Sequence, residues 1–314
     1  MMASGHSQMP GFEAVQKLRG FAPLRMERIS IDVGAERPFK AMHVSDSHVV
    51  RADATDDDPR KIELAATRLP LMGYGEHYLA EAVVEARREN AILLHTGDVT
   101  DFVSNANLRF TELTFGADDW FVCAGNHDYS RYVGEAREDS AYKAGSMGRV
   151  QSVFPNDLTF ASRVVNGVNF VAVDDVYYNF SERQLALMES EVAKGLPIVL
   201  MCHVPIYLPG HYAEQMRRTD GVCSYETGVP GELINTWRKE RDWPSGEEWR
   251  DRRVQQRPDA ATTEFVAYLK SLRLLRAILC GHCHAFWAER FSATAMQLTC
   301  AAMYEGGCTM IDFH

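Results

Sequence analysis

Six short apolar runs punctuate the chain: Phe39 to Val44, Ala91 to His95, Trp120 to Ala124, Val168 to Val173, Ile198 to Cys202 and Arg276 to Cys280. Each has strand length and is near-continuous rather than alternating, which predicts strands covered on both faces. Helix-like stretches lie between them. Glu76 to Asn90 places Leu79, Val83 and Ala86 on one stripe, and Ser181 to Lys194 opens on a capping serine and stops before Gly195. Thr262 to Arg273 continues the alternation before the sixth run. Near the end, Phe286 to Phe291, Ala295 to Ala302 and Cys308 to Phe313 read as strands joined by short turns, hence a meander. Alternating elements with a β-rich end predict an α/β layered fold. Two polar interruptions stand out. Ala52 to Arg60, with its Asp56-Asp57-Asp58 run, reads as a solvated loop, and Tyr207 to Ala261 is too long for a simple connection.

The residues just past the runs carry the chemistry. The first run leads into Asp46-Ser47-His48, the second into Gly97-Asp98-Val99-Thr100-Asp101, and the third into Gly125-Asn126-His127-Asp128. The fifth ends at His203, and the sixth leads into Gly281-His282-Cys283-His284. Open α/β sheets collect ligands outside the carboxyl ends of their strands. Five strand ends thus bring four histidines (His48, His203, His282, His284), Asp46, Asp98 and Asn126 to one rim, with His127 beside them. Mixed imidazole and carboxylate donors suit Mn, Fe, Zn or Ni rather than Ca. Seven donors exceed the needs of one ion, and two ions sharing a carboxylate fit the count. Such pairs sit about 3.5–4 Å apart and serve in-line displacement at phosphorus.

In order, Asp-x-His, Gly-Asp-x-x-Asp, Gly-Asn-His-Asp, a lone His and Gly-His-x-His resemble the calcineurin-like metallophosphoesterase superfamily. The motifs span Asp46 to His284. The resemblance implies an αββα sandwich, two mixed β-sheets flanked by helices, around a binuclear centre of divalent or mixed-valence transition metal ions. By position, one ion takes Asp46, His48, Asp98 and His284. The other takes Asp98, Asn126, His203 and His282, with Asp98 bridging. His127 matches the non-ligand histidine that faces substrate, and Asp128 its acidic neighbour, able to orient that ring. The implied reaction is hydrolysis of phosphate mono- or diesters by a metal-bridging hydroxide, with His127 stabilising charge or protonating the leaving oxygen.

Single residues have plainer readings. His43 and His95 lie inside strand runs and read as core, Cys283 as filler, and Asp174 and Asp175 as structural. Asp101 is open between a structural and a substrate role. Composition narrows the rest. Of 314 residues, 33 are Lys or Arg and 43 Asp or Glu, a formal net charge of −10. That balance argues against nucleic acid and anionic membranes as partners, leaving a small phosphate ester as the expected substrate. A nuclease or phosphodiesterase acting on nucleic acid, and a non-catalytic metal-stabilised interaction module, are the competing readings. The absence of a long apolar run, the amino-terminal sequence and seven irregularly spaced cysteines lead us to expect a reduced, cytoplasmic protein. The oligomeric state stays open.

We expect one domain over residues 1–314 with a cap-like insert at about 207–261. The insert holds Trp237, Trp243 and Trp249 and a dense set of arginines interleaved with acids between 237 and 257. It reads either as a solvated helical pair or as a cap over the site. Because it leaves from His203, its first residues Tyr207, His211 and Tyr212 are candidate substrate contacts.

Overall fold

The structure, a computed structural model, describes residues 22–56, 58–134 and 138–314. The amino-terminal leader reading and Asp57 lie outside the described residues. Eleven strands are described: β1 (Arg25–Ile31), β2 (Phe39–Val44), β3 (Ala91–Thr96), β4 (Trp120–Cys123), β5 (Phe160–Val165), β6 (Val168–Val173), β7 (Ile198–Met201), β8 (Leu275–Cys280), β9 (Trp287–Arg290), β10 (Met296–Thr299) and β11 (Gly307–Phe313). They form two mixed sheets, ordered β1-β11-β2-β3-β4 and β5-β6-β7-β8-β10-β9. In the first, β2, β3 and β4 are parallel, and in the second β6, β7, β8 and β10 are parallel.

The near-continuous apolar runs are explained by this layering. One face of each sheet meets the other sheet: Ala41, Leu94 and Phe121 pack against Phe170, Val199, Met201 and Leu279. The opposite faces meet helices. Met42, Val44 and Trp120 share a core with Leu79, Ala82 and Ala86 of α2 and Phe110 and Phe115 of α3. Val171, Leu200 and Ile278 share another with Met188 of α6 and Phe265 and Leu269 of α10. Here α1 is Arg60–Met72, α2 Gly75–Glu89, α3 Asn105–Ala117, α4 Asn126–Tyr129, α5 Ser140–Gln151, α6 Glu182–Val192, α7 Pro209–Arg218, α8 Gly231–Ile234, α9 Arg252–Gln255 and α10 Ala260–Ser271. The layering is helix, sheet, sheet, helix, the αββα sandwich. Among the described residues no helix is long and apolar enough to cross a membrane.

Local signals act at their own positions. Ser181 caps α6 by accepting from the Gln184 amide, while the Gln184 side chain accepts from the Ser181 amide at 2.7 Å. The carboxyl-terminal strands correct the expected meander. β9 and β10 form an antiparallel pair, but β10 lies parallel to β8, and the chain then crosses to the first sheet. There β11 inserts between β1, parallel, and β2, antiparallel. An apolar period of two reports burial and is silent about which strand lies alongside.

The polar interruption after Ala52 is the expected exposed loop, while the one after Tyr207 comes out differently. Asp56 accepts from the Asn105 amide at 2.6 Å and the Tyr132 hydroxyl donates to Asp58, so these carboxylates brace the loop. Between Tyr207 and Ala261 there is no packed helical pair: α7 is followed by turns and the single-turn helices α8 and α9, with a small buried cluster of Cys223, Val229, Ile234 and Trp237.

Candidate metal centre

The site is built on backbone that bends at the ends of β2, β3 and β8. Asp46, His48, Asp98, His282 and His284 all have positive φ, between 43° and 68°. For residues with a Cβ this conformation costs about 1–3 kcal/mol each and persists only where the surroundings dictate it. Here neighbouring loops do so: the amides of Asp46 and His48 donate to the carbonyls of Gly97 and Asp98, both at 2.9 Å, and the Gly281 amide to the His203 carbonyl at 2.9 Å. Two motif glycines permit the close approach. A Cβ on Gly125 would lie 2.1 Å from Asp98 Oδ1, and one on Gly281 would lie 1.7 Å from Ser45 Oγ.

Two groups of donors result. In one, His284 Nε2 lies 3.3 Å from Asp46 Oδ1 and 3.3 Å from His48 Nε2. In the other, His203 Nε2 lies 3.3 Å from Asp98 Oδ2 and 3.2 Å from His282 Nδ1. Asp98 Oδ2 is also 3.6 Å from His48 Nε2, so this carboxylate faces both groups. The remaining nitrogen of each ring is engaged elsewhere. His48 Nδ1–H donates to Asp101 Oδ1 (3.1 Å) and His203 Nδ1–H to the Thr96 carbonyl (2.7 Å). His284 Nδ1 pairs with the Tyr304 hydroxyl (3.2 Å), and His282 Nε2 with that of Tyr178 (3.0 Å). For His48 and His203 the oxygen acceptor fixes the outer N–H, and all four partners turn the other ring nitrogen inward. The four inner nitrogens therefore converge on two buried carboxylates. Asn126 Oδ1 is buried without a hydrogen-bond partner. Four inward imidazole nitrogens, two carboxylates and an unpartnered amide oxygen make a donor set that fits divalent cations.

Electrostatics agree. Burial pushes the Asp98 carboxyl up, but the imidazoles of His203 and His127 outweigh it and hold the group well below the usual carboxylate range. Burial lowers His203, yet Asp98 and Asp46 raise it to about 10. His282 falls to about 3 through burial and the neighbouring His203. The centre is a dense set of charges awaiting mutual compensation.

His127 belongs to neither of these groups of donors. Its Nδ1–H donates to the Asp101 carbonyl at 2.8 Å, and its amide donates to Asp98 Oδ1 at 2.8 Å. Asp128 does not orient that ring, contrary to expectation. Its carboxylate accepts from the amides of Gly125 (2.9 Å), Thr100 (3.0 Å) and Val99 (3.3 Å). A carboxylate two residues into a helical turn points back at its own amino-terminal amides, so Asp128 ties the Gly125 turn to the Gly97-Asp98 turn. Orientation falls to Asp101, which also accepts a bidentate pair from Arg68 at 2.6 and 2.7 Å. Asp175 accepts from the amides of His203 and Val204, as a structural residue should. His43 and His95 are buried, each lowered to about 3 by burial. Arg68, Tyr178 and Tyr304 carry no sequence signal, since no spacing connects them to the motifs.

A cavity of about 650 Å³ opens over the centre, lined by Asp98, Asn126, His127, His282 and His284. Tyr207, His211 and Tyr212 do not line it, which corrects their assignment to substrate. Ile206 pairs with Thr227 immediately after leaving the centre, so the chain turns into the insert's own cluster. His211 is buried, its Nδ1–H donated to Glu226 at 2.9 Å, and the Tyr212 hydroxyl accepts from Trp237 Nε1 at 2.9 Å. In their place the insert offers Gln215, Arg218, Tyr225, Trp243, Trp249 and Arg252 to the cavity.

Curated protein sequences include no match. Among solved structures, a dimetal phosphatase from Danio rerio aligns with a TM-score of 0.49 at 14% identity, over 87% of this chain and 91% of that one. A putative 5'-nucleotidase from Staphylococcus aureus aligns with a TM-score of 0.43 at 14% identity, over 85% of this chain and 49% of that one. The calcineurin-like phosphoesterase family model matches residues 39–286, most of the chain and every strand-end motif. The chain thus belongs to the calcineurin-like phosphoesterase family, whose chemistry is metal-dependent hydrolysis of phosphate esters.

Proposed function

We propose that the protein is a binuclear phosphoesterase acting on small phosphate esters, with Asp46, His48 and His284 holding one ion, Asn126, His203 and His282 the other, and Asp98 shared. The observation that carries it is the orientation of the four imidazoles: each has its outer nitrogen hydrogen-bonded, with the inner one turned to the same space as the Asp46 and Asp98 carboxylates. Bound there, divalent ions supply Lewis-acid chemistry, polarising phosphoryl oxygens and making water a competent nucleophile near neutral pH.

The chain's own residues do the rest. Asp98 couples the two groups across one carboxylate. Asp101 and Arg68 hold His48 in its tautomer from behind. His127, its Nδ1–H committed to the Asp101 carbonyl, keeps Nε2 for the ester, where it donates to the leaving oxygen or to a developing negative charge. The segment at about 207–261 acts as a cap that bounds the leaving-group side of the cavity. No serine, cysteine or aspartate is needed as a covalent nucleophile.

The test is metal content together with turnover of an aryl phosphate. Wild-type protein should retain two ions per chain after dialysis and hydrolyse the ester. Asp98→Asn should lose both ions together and all turnover. Two ions retained in Asp98→Asn would refute the shared-carboxylate assignment.

A further inference from the structure

The eight arginines of the insert differ in their partners. Arg217, Arg238, Arg250 and Arg253 each pair with a carboxylate, at 2.7, 3.0, 3.1 and 2.5 Å respectively. Arg218, Arg241 and Arg252 line the cavity without a carboxylate partner among the described residues, whereas Arg257 pairs with Asn235. Arg241 lies on Trp243, 3.7 Å from the ring centre. Arg218 and Arg252 are instead fixed by neutral groups next to the centre. Arg218, at the end of α7, donates from Nη1 to the carbonyl of Cys283 at 3.0 Å, the residue between His282 and His284. Arg252, the first residue of α9, donates from Nη1 to Gln255 Oε1 at 2.7 Å, and its guanidinium lies 5.4 Å from the centre of the Tyr225 ring. That ring packs edge-on against His282, 5.8 Å between centres. Arg252 therefore stands one aromatic ring outward from the centre.

A guanidinium held in place by neutral partners keeps most of its five donors and all of its charge for something else. Arg252 is half-buried, so its charge is also partly desolvated and gains most from an anion. The scissile phosphoryl belongs to the ions and His127. At about 650 Å³ the cavity is the size of sites that take whole organic ligands rather than a lone phosphate.

We propose that Arg218 and Arg252 form a second anion subsite, and that the natural ester carries a negatively charged group, phosphate or carboxylate, on its leaving-group side. The inference rests on the phosphoesterase reading of the centre and names the substrate class it takes. Glu138 and Glu240 share the wall without a direct ion pair to either arginine, although both act on Arg252 through space, so they restrict where the anion sits.

Three matched esters test it on the metal-loaded full chain: phenyl phosphate, 4-carboxyphenyl phosphate and 1,4-phenylene bisphosphate. Wild-type KM should be about 10- to 100-fold lower for at least one charged ester than for phenyl phosphate, the worth of one charge-assisted hydrogen bond or more. Whichever charged ester has the lower KM identifies the anion as phosphate or carboxylate. Arg252→Gln and Arg218→Gln should each shrink that ratio by about tenfold, and Arg252→Lys should restore part of it by keeping the charge without the fork. The two arginines lie on separate elements, so loss of one variant to misfolding leaves the other decisive. Equal KM for all three esters in wild type would overturn the subsite while leaving the phosphoesterase reading intact. So would variants that lower kcat equally on every ester or lose metal. If wild type turns over none of the esters, the phosphoesterase reading fails and the subsite falls with it.

Discussion

At the scale of single residues, the geometry of the centre rests on groups placed behind its imidazole rings. Asp101 is the best example: one carboxylate receives the His48 imidazole and the Arg68 guanidinium while its carbonyl receives His127. Such partners of ligating histidines are typically worth about 10–100-fold in metal affinity. Asp101→Asn should weaken metal binding by that amount, read by titrating metal into the chelated protein. If affinity holds and only kcat drops, Asp101 acts through His127 instead. His127→Ala separates the roles from the other side. It should retain both ions while the rate falls about 10²–10⁴-fold, as for a general acid. An alkyl phosphate should suffer more than an activated aryl phosphate, whose leaving group needs less protonation. Equal losses would reassign His127 to charge stabilisation.

At the scale of elements, the insert is a small structure with its own interior. Trp237 is 3% exposed, packs with Cys223, Val229 and Ile234, and donates to Tyr212. Truncating a buried tryptophan costs about 3–5 kcal/mol, which here falls on one segment and not on the sheets. Trp237→Ala should therefore make residues 212–258 susceptible to limited proteolysis while the two ions stay bound. A cooperative loss of metal and of the whole fold would show that the insert is integral to the sandwich. The connection through Ile206 and Thr227, braced by Asp175, is where such coupling would travel.

At the scale of the molecule, the sandwich stacks two sheets so that parallel strands from both end at one rim. Phe39, Phe170 and Phe313 lock the sheets together, with ring centres 5.2–6.1 Å apart. The rim gathers the buried carboxylates of Asp46 and Asp98 and four histidines at the floor of the cavity, and bound cations would compensate those carboxylates. Ions that bind the folded chain alone stabilise it, by about 2.7 kcal/mol at a hundredfold excess over Kd. Chelation should consequently lower Tm by several degrees, and restoring the metal should recover it. An unchanged Tm in protein verified to be metal-free would mean that the charges of the centre balance one another.

The chain by itself determined local features. The near-continuous runs became strands because burial on both faces leaves no polar alternation, and Ser181 became a cap because its hydroxyl has an amide to satisfy. The strand-end motifs were legible because they are short and come directly after their strands, and the fold brings their side chains together. Tertiary structure alone decided the rest. β11 could join either sheet, since an apolar strand encodes burial and not a neighbour. Asp101 rather than Asp128 holds His127 because a side chain's reach is set by the turn beneath it. Tyr207, His211 and Tyr212 lie off the cavity while Arg218 and Arg252 lie on it, since proximity along the chain ends where Ile206 pairs with Thr227. Arg68, Tyr178 and Tyr304 come from elements that share no motif with the ligands, and only packing in three dimensions brings them to the same rings.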